Sequence, residues 1–96
     1  MNIDYYWKHI DSSPATENYA NEKFSKLDKY IQKFISAHMT ISLNGKTEKS
    51  VKLTLKGDGE TVIGEETDPD IYAAIDKLED KIARQVRRNH QKHSGH

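Results

Sequence analysis

The sequence predicts one α+β domain of order β-α-β-β-β-α, in which a four-stranded sheet carries two helices packed on one face. Three observations predict it. Apolar residues alternate with polar ones, at period two, in four short segments. Two longer segments space them by three and four, which gathers them on one helical face. The last three strands follow one another through short turns, which favours a meander and leaves one sheet face for both helices.

Met1 to Ile10 alternates Ile3, Tyr5 and Trp7 with Asn2, Asp4 and Lys8, the pattern of a half-buried strand. Asp11-Ser12-Ser13-Pro14 supplies a helix start, with Ser13 as N-cap and Pro14 at the first helical position, where its missing N–H is no loss. The helix is expected from Pro14 to Phe34, because Ala20, Phe24, Leu27, Ile31 and Phe34 recur at spacings of 4, 3, 4 and 3. Ala37, Met39, Ile41 and Leu43 then alternate with polar residues, and Asn44-Gly45-Lys46 has turn chemistry. Val51, Leu53 and Leu55 form the next alternation, closed by the turn Gly57-Asp58-Gly59. Thr61 to Thr67 reads as a weaker strand interrupted by Gly64. Asp68-Pro69 opens the last helix by the same cap-plus-proline logic, and Ile71, Ile75, Leu78, Ile82 and Val86 give it an apolar face. The other sheet face is expected to show Lys52, Lys56, Thr40 and Ser42 to water.

Ninety-six residues fit one domain, 1–96, with order expected over about 1–92 and a short basic tail at 93–96. Hydrophobic content of 34% against 31% charged suits a thin two-layer fold without a deep catalytic cleft. The absence of cysteine excludes disulfides and thiolate zinc sites, and points to a reducing compartment. The first ten residues include Asp4 and Lys8 and no signal-peptide core, and no apolar run approaches the ~20 residues of a spanning helix. A cytoplasmic location without membrane contact is expected. No glycine-rich phosphate loop, Ser-His-Asp set or HExxH is present, so neither an enzyme nor a cofactor is expected. His90, His93 and His96 recur every third residue, but no acid or cysteine stands nearby to complete a metal site. Glu65-Glu66 and Asp68-Asp70 read as strand-edge and cap residues. Tyr5, Tyr6 and Trp7 could stack on bases, although an aromatic strand facing a helix is more often core.

The net charge of zero conceals a segregation. Nine acidic residues and one basic residue, Lys77, fall between Gly57 and Asp80; from Lys81 to His96 there are five basic residues and no acid. At 100° per residue the first helix sets Lys26, Lys29 and Lys33 opposite its apolar face, with Lys23 at the flank. In the last helix Lys77, Lys81, Arg84 and Arg88 follow 4, 3, 4 spacing, with Arg87 and Lys92 beside them. Helices lying side by side would merge the stripes into one basic surface, the acids being displaced elsewhere. Such a surface suits phosphates, since each one neutralised releases counterions. A charged outer face is also what any solvated helix shows, and composition and spacing leave both readings open.

Asp70-Ile71-Tyr72-Ala73-Ala74-Ile75-Asp76, followed by Asp80-Lys81-Ile82-Ala83-Arg84-Gln85, resembles the signature of the ribosome hibernation-promoting factor family, also called sigma-54 modulation proteins or ribosome-associated inhibitors. Lys23-Phe24-Ser25-Lys26-Leu27 resembles its first-helix motif, K-[FL]-x-K-L, and the similarity spans essentially the whole chain. The resemblance implies a factor that binds the small ribosomal subunit and its ribosomal RNA in the channel used by messenger RNA and the anticodon ends of transfer RNA. It implies inhibition of translation in stationary phase or stress. By position, Lys23 and Lys26 match the family's first-helix basic residues, and Lys81, Arg84, Arg88 and Lys92 those of the second; Lys29 and Arg87 join the expected RNA-binding set from spacing. The short form is the one resembled, a monomer off the ribosome, so that ribosome pairing would need a separate ribosome modulation factor. Trp7 departs from the small residue of close relatives. His90 and His93 stand where lysine is common, and neutral histidine attracts phosphate less. Two other readings stay open: a general double-stranded RNA binder, whose domain type shares the α-β-β-β-α order, and a protein-interaction module acting through the acidic edge from Glu60 to Asp70.

Overall fold

A computed structural model describes residues 2–31 and 34–94, with side chains through residue 88. The chain runs β1 (Asp4–Lys8), α1 (Pro14–Ser25), α2 (Asp28–Ile31), β2 (Phe34–Asn44), β3 (Glu48–Gly57), β4 (Glu60–Asp68) and α3 (Ile71–Ser94). The strands lie in the order β1-β2-β3-β4. Parallel pairing of β1 with β2 requires a crossover, which α1 and α2 provide; β2, β3 and β4 are antiparallel neighbours joined by short turns. Gly45 and Gly59 sit in those turns with φ of 65° and 73°, a region that residues with a Cβ rarely enter.

Alternation along the strands puts Ala37, Met39, Ile41, Val51, Leu53, Leu55 and Val62 on one buried face. Ala20 and Phe24 of α1, Leu27 of the turn after it, Ile31 of α2, and Ala74, Ile75, Leu78, Ile82 and Val86 of α3 close over it. The opposite face shows Lys52 and Lys56 to solvent, with Thr40 and Ser42 partly exposed. The α+β architecture with helices on one side of a four-stranded sheet is therefore as expected. β1 is tied to α1 by polar tips: Trp7 Nε1 donates to Glu17 Oε2 at 2.8 Å, and Tyr5 Oη donates to Asn21 Oδ1 at 2.7 Å. Tyr5 and Trp7 thus belong to the packing, whereas Tyr6 points to the open face.

The boundaries differ from expectation in three places. The first helix does not run unbroken to Phe34; α1 ends at Ser25, a turn follows, α2 covers Asp28–Ile31, and Phe34 already belongs to β2. At the break, Leu27 N donates to Phe24 O and Tyr30 N to Leu27 O, three-residue reaches that tighten the coil. Ser25 Oγ donates to Glu22 O at 2.6 Å, a side-chain bond that competes with the regular ladder. The apolar spacing persists through the break because Leu27 and Ile31 still face the sheet. Second, Gly64 does not interrupt β4. A Cβ there would lie 2.8 Å from Ile82 Cδ1 and 3.2 Å from Leu78 Cδ1, so the glycine lets α3 approach the sheet. Third, α3 is capped by Asp70 rather than Asp68: Tyr72 N donates to Asp70 Oδ1 at 2.9 Å, and Ala74 N to Asp70 O at 3.0 Å. Asp68 is the last residue of β4, paired with Lys49, and its side chain instead accepts from Asp70 N. Ser13 does cap α1, its Oγ accepting from Thr16 N at 3.2 Å, with Pro14 following at the helix start.

Candidate nucleic-acid interface

The outer surfaces of α1, α2 and α3 bring the expected cations together, but not as one uniform stripe. Where α1 meets α3, Tyr19 Oη donates to Asp76 Oδ1 at 2.6 Å, and Lys23 Nζ lies 3.3 Å from the same oxygen. The Tyr72 ring meets Tyr19 edge-on at 4.8 Å. The hydrogen bond to Asp76 is the main reason the Tyr19 phenol is pushed up to about 12. Lys23 is therefore already engaged with a carboxylate. An open depression of about 500 Å³, lined by Tyr19, Glu22, Lys23, Ser25 and Lys26, lies alongside.

The expectation that the acids lie elsewhere does not hold in space. β4 runs beside α3, so its carboxylates meet the cations of the helix. Lys77 Nζ lies 3.0 Å from Asp68 Oδ2, and Lys81 Nζ lies 2.7 Å from Glu66 Oε2. Asp68 is held below the usual carboxylate range, first by the Asp70 N–H and then by Lys77, while Asp68 in turn raises Lys77. Arg84 pairs with Asp80 one turn back at 2.8 Å, with both side chains largely exposed. Segregation along the chain is thus largely cancelled over the first half of α3.

Other cations of the expected set remain unpaired. Among the described residues, Lys26, Lys29, Arg87 and Arg88 are exposed and have no carboxylate partner. Two of them share an aromatic ring: Lys29 Nζ stands 5.0 Å from the Tyr30 centroid, and Arg87 Cζ stands 5.8 Å from it. Tyr30 thereby joins α2 to α3 and holds two positive charges against one ring. Lys33 and His96 lie outside the described residues, as do the side chains of His90, Lys92 and His93. Sequence reasoning missed Tyr19, Tyr30, Tyr72 and Asp76 as organisers of this surface. Their only signal was position next to the basic motifs, since their partners are distant in the chain. No group of three or more His, Cys, Asp or Glu among the described residues could hold a metal ion.

The family model described as sigma 54 modulation protein / S30EA ribosomal protein matches residues 3–94. The chain is 28% identical over 92 residues to a ribosome hibernation promoting factor of Azotobacter vinelandii, covering 96% of this chain and 85% of that protein. It is 32% identical over 83 residues to a ribosome hibernation promotion factor of Lactococcus lactis subsp. cremoris, covering 84% of this chain but only 45% of that protein. The crystal structure of the Protein Y N-terminal domain of Thermus thermophilus superimposes with a TM-score of 0.78 at 32% identity, over 92% of this chain and 98% of that one.

Proposed function

Since the chain belongs to the sigma-54 modulation protein / S30EA ribosomal protein family, we propose that it is a ribosome hibernation factor that binds the small ribosomal subunit through the outer faces of its helices. Its site is the channel used by messenger RNA and transfer RNA, and occupancy alone inhibits translation in stationary phase or stress. No bond need be made or broken, so the function is not enzymatic. The observation that carries this reading is that Lys26, Lys29, Arg87 and Arg88 are exposed with no carboxylate holding them, and that Lys29 and Arg87 meet over the Tyr30 ring at the junction of α2 and α3. Cations without a partner meet phosphates without first giving up an ion pair, and each contact adds counterion release.

The other members of the set rank behind these four. Arg84 must release Asp80, an exposed one-turn pair worth about 0.3–0.5 kcal/mol, so it remains available. Lys23 and Lys81 each hold a carboxylate and contribute less, while Lys92 joins the set through its place in the family motif alone. Action on ribosomes places the protein in the cytoplasm; among the described residues, no helix is long and apolar enough to cross a membrane.

Sucrose-gradient fractionation of growing and starved cells tests the reading. The protein is expected with small subunits and whole ribosomes, more strongly after starvation. Recovery only from the ribosome-free top fractions at low salt would overturn it. With purified ribosomes, Arg84→Glu/Arg88→Glu should abolish binding while leaving the fold intact.

A further inference from the structure

The outer edge of β4 is closed by side chains of α3. Backbone carbonyls along a strand alternate between its two edges, so Glu65 O and Thr67 O, two residues apart, point the same way. Both accept from a lysine: Lys81 Nζ donates to Glu65 O at 3.0 Å, and Lys77 Nζ donates to Thr67 O at 3.0 Å. β3 occupies the inner edge, which leaves these as acceptors of the free edge. The same two ammonium groups also hold Glu66 and Asp68. The spacing explains the fit. Four residues of helix rise about 6 Å, and two residues of strand span about 6.7 Å, so each lysine meets its own carbonyl.

The two edges of the sheet differ in what they could template. β1 is five residues long, whereas β4 is nine. A long free edge recruits other strands unless something blocks it, and lysine is among the residues that do so. Ile63, 52% exposed on β4, adds an apolar contact for an incoming strand. Of the two edges that another copy presents, β4 is the longer and so offers the longer ladder. We propose that Lys77 and Lys81 hold the β4 edge shut against β4 of a second copy, so that the latent partner of this edge is the chain itself. Antiparallel pairing about Gly64 would set Glu65 opposite Ile63, Glu66 opposite Val62 and Asp68 opposite Glu60. Asp68 opposite Glu60 therefore adds a second, repulsive barrier. This inference is independent of the ribosome reading.

The experiment separates the two barriers. Glu66→Gln/Asp68→Asn keeps both lysines on the carbonyls; a fourfold variant adds Lys77→Ala/Lys81→Ala. Mass is followed by sedimentation equilibrium over a concentration series. The twofold variant should stay monomeric, and the fourfold variant should double in mass as concentration rises. In the dimer, the amides of Glu65 and Thr67 should exchange their hydrogens more slowly. Two monomeric variants would overturn the proposal, and so would two dimeric ones, since the acids alone would then be the barrier. Should the fourfold variant lose its far-ultraviolet dichroism, Lys77→Ala/Lys81→Ala in 1 M salt gives the same test, because the screening length there is about 3 Å. A monomer under those conditions would equally overturn it.

Discussion

Gly64 and Tyr19 owe their roles to neighbours far away in the chain. At Gly64 the space a side chain would need is filled by Ile82 and Leu78, both fully buried. Gly64→Val should therefore cost about 1–3 kcal/mol through overpacking, read from the urea midpoint at unchanged m-value. Tyr19 keeps its proton for Asp76 well beyond the ordinary phenol range. Its folded pKa is raised, so its contribution is fully present below the unfolded value of 10.0 and is lost as pH rises through about 12. Ultraviolet titration at 295 nm should show two phenols ionising late, Tyr19 and the half-buried Tyr5, which burial and then Glu17 also push up, and Tyr19→Phe should remove one of them. Tyr30 bears on the proposed ribosome contact more directly, because Lys29 and Arg87 both stand over its ring.

Helix ends decide how the elements join. Ser13 and Asp70 each satisfy a backbone N–H that would otherwise lack an intrahelical partner. Replacing either by alanine should lower stability by about 1 kcal/mol, measured by thermal or urea unfolding. Asp68 secures the strand-to-helix turn through Asp70 N and Lys77. Its folded pKa is depressed, so this support is present above 3.8 and is lost as pH falls through the lower folded value. Acid unfolding monitored by dichroism should begin at higher pH in wild type than in Asp68→Asn, measured against each protein's own neutral baseline. The short α2 that follows the split matters for the same surface, because its Tyr30 meets Arg87 of α3.

Over the whole molecule, zero net charge coexists with a local excess of cations at the α2–α3 junction. If that excess carries ribosome binding, log affinity should fall linearly with log salt, with a slope of about 0.9 per phosphate on a duplex. Lys29→Glu/Arg87→Glu should weaken binding and flatten this slope, whereas Lys77→Gln, which removes a cation already held by Asp68, should leave both nearly unchanged. Surface changes of this kind should alter folding stability by no more than about 0.5 kcal/mol, so binding and unfolding measured on the same samples separate loss of contact from loss of fold.

The order of the elements, the buried face of each and the cap of α1 were legible from the residues alone, because periodicity and capping are local consequences of backbone geometry. The family was legible too, since its motifs are contiguous: Asp70 to Asp76, and Asp80 to Gln85. Tertiary structure alone decided which cations remain free. Glu66 stands fifteen residues from Lys81 and Asp68 nine from Lys77, and nothing in the residue order says that β4 will lie beside that helix. Charge acts through space, so a segregation written along the chain dissolves where the fold lays one acidic strand against one basic helix.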